Sequence, residues 1–157
     1  MHCSLARTLE VIGDWWSPLI IRDLYLGLDR FDQLVADLGV SRNLLTDRLA
    51  TLVAGGVIER ETYQHNPKRY RYTLTDAGAE LVPVLLALTA WGDRWVAPEA
   101  GPPMRFRHDP CRHLSTPTVT CSACRQPITG NDITVTPGPG GRTAPGTALI
   151  ATVLADI

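Results

Sequence analysis

Apolar residues recur at helical spacing through the first third of the chain. Ala6, Leu9 and Ile12 mark a short amphipathic helix, and Ser17-Pro18-Leu19-Ile20-Ile21-Arg22-Asp23-Leu24-Tyr25-Leu26-Gly27 reads as a second. Pro18 suits the first turn of that second helix and Gly27 its C-terminal end. Phe31, Leu34, Val35 and Leu38 follow the i, i+3, i+4, i+7 pattern and stop at Gly39. Leu45, Leu49, Leu52 and Val53 repeat the spacing behind Ser41, whose hydroxyl suits a helix N-cap. Two short helices joined by a tight glycine-containing turn predict a helix-turn-helix.

After Gly55-Gly56 the period falls to two. Val57 to Tyr63 and Arg69 to Thr75 predict a β-hairpin with Asn66-Pro67 at its tip. Thr75 then caps a long helix through Trp95, in which Pro83 must start a new turn or a kink. The expected fold is mainly α with a β-hairpin wing, a winged helix-turn-helix with flanking helices. The pattern changes near Ala97, since nine of the twelve prolines follow it. The expected organisation is a winged-helix domain over 1–97, a linker over 98–106, a small appendage over 107–136 and a flexible tail over 137–157, whose apolar stretch Ala148–Leu154 has no assigned docking place.

Composition narrows the class. A chain of 157 residues, 45% hydrophobic and 20% charged, has room for one ordinary core. No apolar run approaches the roughly 20 residues that span a bilayer, and the N-terminus lacks a signal-peptide core, so the expectation is a cytoplasmic protein with no membrane partner. The net charge is −1, which advertises no polyanionic partner for the whole chain. Between residues 42 and 71, however, six basic residues face three acidic ones.

That local excess falls on the elements able to use it. With Leu45, Leu49 and Leu52 inward, the outer face of their helix carries Arg42, Asn43, Thr46 and Asp47, with Arg48 at the flank. Arginine pairs with guanine, asparagine with adenine, and threonine meets a thymine methyl or a phosphate. Ser41 and its N–H can hold a phosphate. Lys68, Arg69 and Arg71 place cations on the hairpin, suiting a wing that tracks phosphates or enters the minor groove. Taken singly, each is equally a solvated surface charge.

The ordered set Cys3, Trp15-Trp16-Ser-Pro-Leu-Ile-Ile-Arg-Asp-Leu24, Arg30-Phe-Asp-Gln-Leu34, Ser41-Arg-Asn-Leu-Leu-Thr-Asp-Arg-Leu49, Gly55-Gly-Val-Ile-Glu-Arg60, Tyr72-Thr-Leu-Thr75, Gly78 and Trp91-Gly92 resembles the HxlR family of bacterial transcription regulators, related to MarR-like winged helices. Asp14-Trp15 departs from the family, which often has a basic residue just before the tryptophan. The resemblance implies a homodimer that binds palindromic double-stranded DNA and regulates transcription as a repressor or activator, with the first and last helices as dimerisation helices and Leu85, Leu88 and Trp91 at the interface or in the core. It also implies a thiol switch at Cys3, sensitive to oxidants or electrophiles. The positive end of a helix favours a thiolate, whereas a buried hydrophobe without redox role is the plainer reading. A small-molecule effector is the other possible control, with Trp15, Trp16, Tyr25, Trp91 and Trp95 supplying aromatic surface; ordinary packing accounts for them equally well.

The appendage carries a separate chemistry. His108, Cys111, His113, Cys121 and Cys124 fall within seventeen residues and resemble the two knuckles of a zinc ribbon. Cys111, Cys121, Cys124 and either His108 or His113 would complete a tetrahedral structural zinc site, the one cofactor expected. A ribbon that has lost its metal is the alternative. No nucleophile elbow, phosphate loop or open metal site is present, so no enzyme is expected. A metal- or ligand-binding adaptor that uses the winged helix for protein contacts is the competing function.

Overall fold

The computed structural model describes residues 3–150 and 153. Ala151, Thr152 and residues 154–157 of the expected tail, including part of its apolar stretch, lie outside the described residues. The chain forms two compact units, one running to Ala79 and rejoined from Thr134 onward, the other covering Glu80–Ile133.

In the first unit most helix ends fall where the sequence supplies partners for the free backbone groups. Helix α1 (Ser4–Ile12) follows Cys3, which is its N-cap residue but makes no side-chain capping bond. Asp14 then prepares α2 (Ser17–Tyr25): its Oδ1 accepts from the N–H of Trp16 at 2.8 Å and of Ser17 at 3.0 Å, and its Oδ2 from the Ser17 hydroxyl. Pro18 lies in the first turn of α2, where its missing N–H costs nothing. Helix α3 (Phe31–Leu38) ends at Gly39 with φ +63°, a left-handed backbone that glycine adopts without a Cβ clash. Two residues later the Ser41 hydroxyl accepts from Leu44 N–H at 3.3 Å and opens α4 (Arg42–Ala54).

Strands β1 (Ile58–His65) and β2 (Lys68–Leu74) pair antiparallel, with Arg60 opposite Tyr72 and Glu61 opposite Arg71. A bulge between Thr62 and Gln64 shifts the register towards the tip. Arg30 adds an isolated antiparallel bridge to Arg71, and Tyr72 N–H donates to the Asp29 carbonyl at 2.8 Å. The hairpin is thereby tied to the segment that enters α3.

Thr75 joins the hairpin to α5 (Asp76–Trp95). Its hydroxyl accepts from Gly78 N–H at 3.1 Å and donates to the Gly56 carbonyl at 2.6 Å. Gly78 is buried so tightly that a Cβ there would lie 2.1 Å from the Val57 carbonyl oxygen. Helix α5 is continuous through Pro83. The core comprises Ile12, Ile20, Ile21, Leu24, Leu34, Val40, Leu45, Leu49, Leu52, Val57, Ile58 and Tyr72, all within the first unit.

In the second unit, β3 (Phe106–His108) pairs with β4 (His113–Ser115). A second small hairpin closes through a bridge between Thr120 and Pro127 and a bond from Ile128 N–H to the Val119 carbonyl at 2.9 Å. Leu114 and Val119 remain largely exposed, so these hairpins enclose little core of their own.

Candidate nucleic-acid interface

The capped N-terminus of α4 and the hairpin line one open groove of about 890 Å³. Leu45, Leu49 and Leu52 turn inward, leaving Ser41, Arg42, Asn43, Thr46 and Asp47 exposed. Arg42, Asn43 and Thr46 form one wall; Arg60, Lys68, Arg69 and Tyr70 contribute to the other. The Arg42 guanidinium sits 4.8 Å from the Phe31 ring centre, with Nη1 2.8 Å from Asp32 Oδ1. Thr46 donates its hydroxyl hydrogen to the Arg42 carbonyl at 2.8 Å, which fixes that side chain against its own helix.

Three of the wing's cations, together with Arg30, rest on tyrosines. Arg60 lies 4.3 Å and Lys68 5.4 Å from the Tyr70 ring centre, while Arg30 and Arg71 lie 5.3 and 6.0 Å from that of Tyr63. Such contacts hold a cation by the ring quadrupole while leaving donors available. Arg71 also pairs with Glu61 at 3.5 Å. Beneath them, burial pushes the Tyr72 phenol up against the opposing pull of Arg60.

Of the residues the sequence singles out, Arg42, Asn43, Thr46, Lys68 and Arg69 line the groove, while Ser41 at the α4 N-cap and Arg71 on β2 are exposed outside its lining. Arg48 does not join the groove. Half-buried, it points its Nε at Asp14 Oδ1, 3.6 Å away, where it supports the turn before α2. Burial alone would raise the Asp14 carboxyl, but the Ser17 hydroxyl, the N–H groups of Trp16 and Ser17 and the charge of Arg48 together hold it below the usual carboxylate range. Arg30, Arg60, Tyr63 and Tyr70 are further groove residues. Period-two alternation contains part of that signal, because Arg60 shares a face with Ile58 and continues the core face outward. Arg30 joins through its one-residue bridge to β2 and its contact with the Tyr63 ring.

The residues considered for effector control do not line this groove. Cys3 is half-buried, as is Trp16, while Trp15 and Tyr25 are exposed in the first unit and Trp91 and Trp95 in the second. Among the metal candidates, His108 Nδ1 lies 3.3 Å from Cys111 Sγ, and the N–H groups of Cys124 and then Ala123 face the Cys121 sulfur, holding that thiol below its ordinary value. His113 lies on β4 opposite His108. Among the described residues no group of three or more His, Cys, Asp or Glu side chains is assembled to hold a metal ion. No helix among them is long and apolar enough to cross a membrane.

Comparison with known proteins agrees with this architecture. The HTH-type transcriptional regulator Rv3095 of Mycobacterium tuberculosis is 39% identical over 137 residues, 87% of each chain. The crystal structure of PA1607, described as a transcription factor, superimposes with a TM-score of 0.75 at 32% identity, covering 85% of this chain and 94% of that one. The redox regulator HypR in its oxidised form is similar over 59% of this chain and 96% of its own, with a TM-score of 0.54 and 31% identity. Residues 11–100 match the HxlR-like helix-turn-helix family, and the chain therefore belongs to the HxlR family of winged helix-turn-helix transcriptional regulators.

Proposed function

We propose that the protein is a sequence-specific regulator that binds double-stranded DNA as a homodimer. The observation carrying this reading is the groove in which the exposed Arg42, Asn43 and Thr46 of a capped helix face the cationic wing residues Arg60, Lys68 and Arg69. The α4 N-terminus enters the major groove, its side chains read base edges, and the wing contacts the flanking backbone. A twofold dimer then meets two half-sites of a palindrome. Support for the dimer comes from α5, where Val84, Leu88, Trp91 and Trp95 expose an apolar stripe at spacings of four, three and four residues.

Control is assigned to Cys3, next to the first turn of α1 and free of any capping bond. An organic hydroperoxide would convert the Cys3 thiols of two protomers into one disulfide, leaving as an alcohol and water. A gel shift on DNA upstream of the protein's own gene, against scrambled DNA, tests the scheme. Specific binding that is lost on oxidation and restored by reductant is the expected result. Specific binding indifferent to oxidant removes Cys3 control and leaves a small-molecule effector. Equal affinity for every duplex overturns sequence-specific reading.

A further inference from the structure

Two segments of the second unit fold into the same turn. In His108-Asp109-Pro110-Cys111-Arg112, Arg112 has φ +62° and donates its N–H to the His108 carbonyl at 2.7 Å. In Cys121-Ser122-Ala123-Cys124-Arg125, Arg125 has φ +63° and donates its N–H to the Cys121 carbonyl at 2.9 Å. These arginines are the only non-glycine residues with positive φ among the described residues. A side chain avoids that conformation unless its surroundings require it. Each turn also ends a hairpin, between β3 and β4 in one case and between Thr120 and Pro127 in the other. Both have a zinc-competent side chain, thiol or imidazole, at the first and fourth positions.

The interior of each turn is arranged around those ligands. His108 Nδ1 and Cys111 Sγ are 3.3 Å apart, close to the roughly 3.5 Å separating N and S ligands on one tetrahedral zinc ion. In the other turn, Cys121 and Cys124 stand three residues apart around the bond from Arg125 N–H to the Cys121 carbonyl, the Cys-x-x-Cys spacing of a zinc knuckle. Meanwhile Leu114 and Val119 remain exposed, so the hairpins lack the buried apolar surface that would otherwise hold them together.

We propose that His108, Cys111, Cys121 and Cys124 are the two halves of one structural zinc site, which the ion closes by drawing the paired turns together. His108 supplies the nitrogen through Nδ1, and His113, on the following strand, stays outside the coordination sphere. Binding releases the three thiol protons, so Zn²⁺ with three thiolates and a neutral imidazole carries a net charge of −1. Arg112 and Arg125, immediately beyond the last ligand of each turn, offset it. Four protein ligands leave no open position, and the ion serves to staple the hairpins.

The test uses the full chain, untagged and purified without chelator. Elemental analysis is expected to give about one zinc per chain, and replacement by Co²⁺ to give thiolate charge-transfer absorption with the strong visible bands of tetrahedral cobalt. Cys111→Ser, Cys121→Ser, Cys124→Ser and His108→Ala should each lower the zinc content at least tenfold, whereas His113→Ala keeps it. Far-UV circular dichroism identifies any variant that has failed to fold, and cobalt binding by the wild type stands independently of the variants. Zinc below about 0.1 per chain, with no cobalt spectrum, would overturn the site. So would zinc retained in all three serine variants, or lost in His113→Ala and kept in His108→Ala.

Discussion

The Asp14 carboxylate does two tasks. It satisfies the first N–H groups of α2 and holds Arg48. Asp14→Ala should cost about 1 kcal/mol at neutral pH, the usual worth of a capping side chain. Because the folded protein holds this carboxyl below its ordinary value, its stabilisation is present above the unfolded-state pKa and is lost as pH falls through the folded one. The difference between wild type and Asp14→Ala, measured by urea unfolding, should therefore shrink towards pH 3. Gly78→Ala makes a different demand, since the obstructing atom is a backbone carbonyl. A loss of about 1–3 kcal/mol, read as a lower thermal midpoint, is expected there. The sequence identifies both residues but not their tasks: the Asp14–Arg48 pair joins positions thirty-four apart, and the Gly78 contact depends on where the hairpin returns.

At the scale of elements, the helices are legible because buried leucines recur with the helical period and the ends carry Ser41, Gly39 and Pro18. Alternation likewise reveals the hairpin. What escapes is short: the bridge at Arg30 is one residue long, and β3 and β4 have three residues each, too few for alternation to register. At the same scale, the proposed function divides the groove into two jobs. Arg42→Ala and Asn43→Ala should weaken operator binding by tenfold or more each while sparing scrambled DNA, because each base contact is worth about 1–3 kcal/mol of discrimination. Lys68→Ala and Arg69→Ala should weaken binding to both duplexes by similar factors. Competition gel shifts separate these patterns, and equal losses for all four variants would refute the division.

For the molecule as a whole, the apolar stripe of α5 makes the strongest claim. Side chains such as Leu88 and Trp91, each about 60% exposed, bury well only against another surface. A Leu88→Glu, Trp91→Glu double variant should sediment as a monomer and lose at least tenfold in operator affinity, with the fold intact by circular dichroism. A dimeric double variant would exclude this stripe as the interface. Family membership is legible in the sequence because its residues are ordered along one winged helix. The arrangement of the metal-ligand candidates is not, since the sequence leaves His108 and His113 equivalent until the turn pairs one of them with Cys111.

The ion pair between Arg42 and Asp32 changes how salt should act on recognition. A cation without an acidic neighbour carries mobile anions, and DNA releases condensed cations when its phosphates are neutralised. Among the described residues Lys68 and Arg69 have no acidic side chain within ion-pair distance, whereas Arg42 already has a carboxylate from its own chain. On reaching DNA, Arg42 exchanges that fixed anion, and Asp32 is left to recruit a mobile cation. The logarithmic salt dependence should therefore fall by about one for Lys68→Ala, near the 0.9 expected per phosphate contact, and hardly at all for Arg42→Ala. Rising ionic strength then strips the wing's grip first, leaving a weaker protein whose remaining affinity depends more on the sequence it reads.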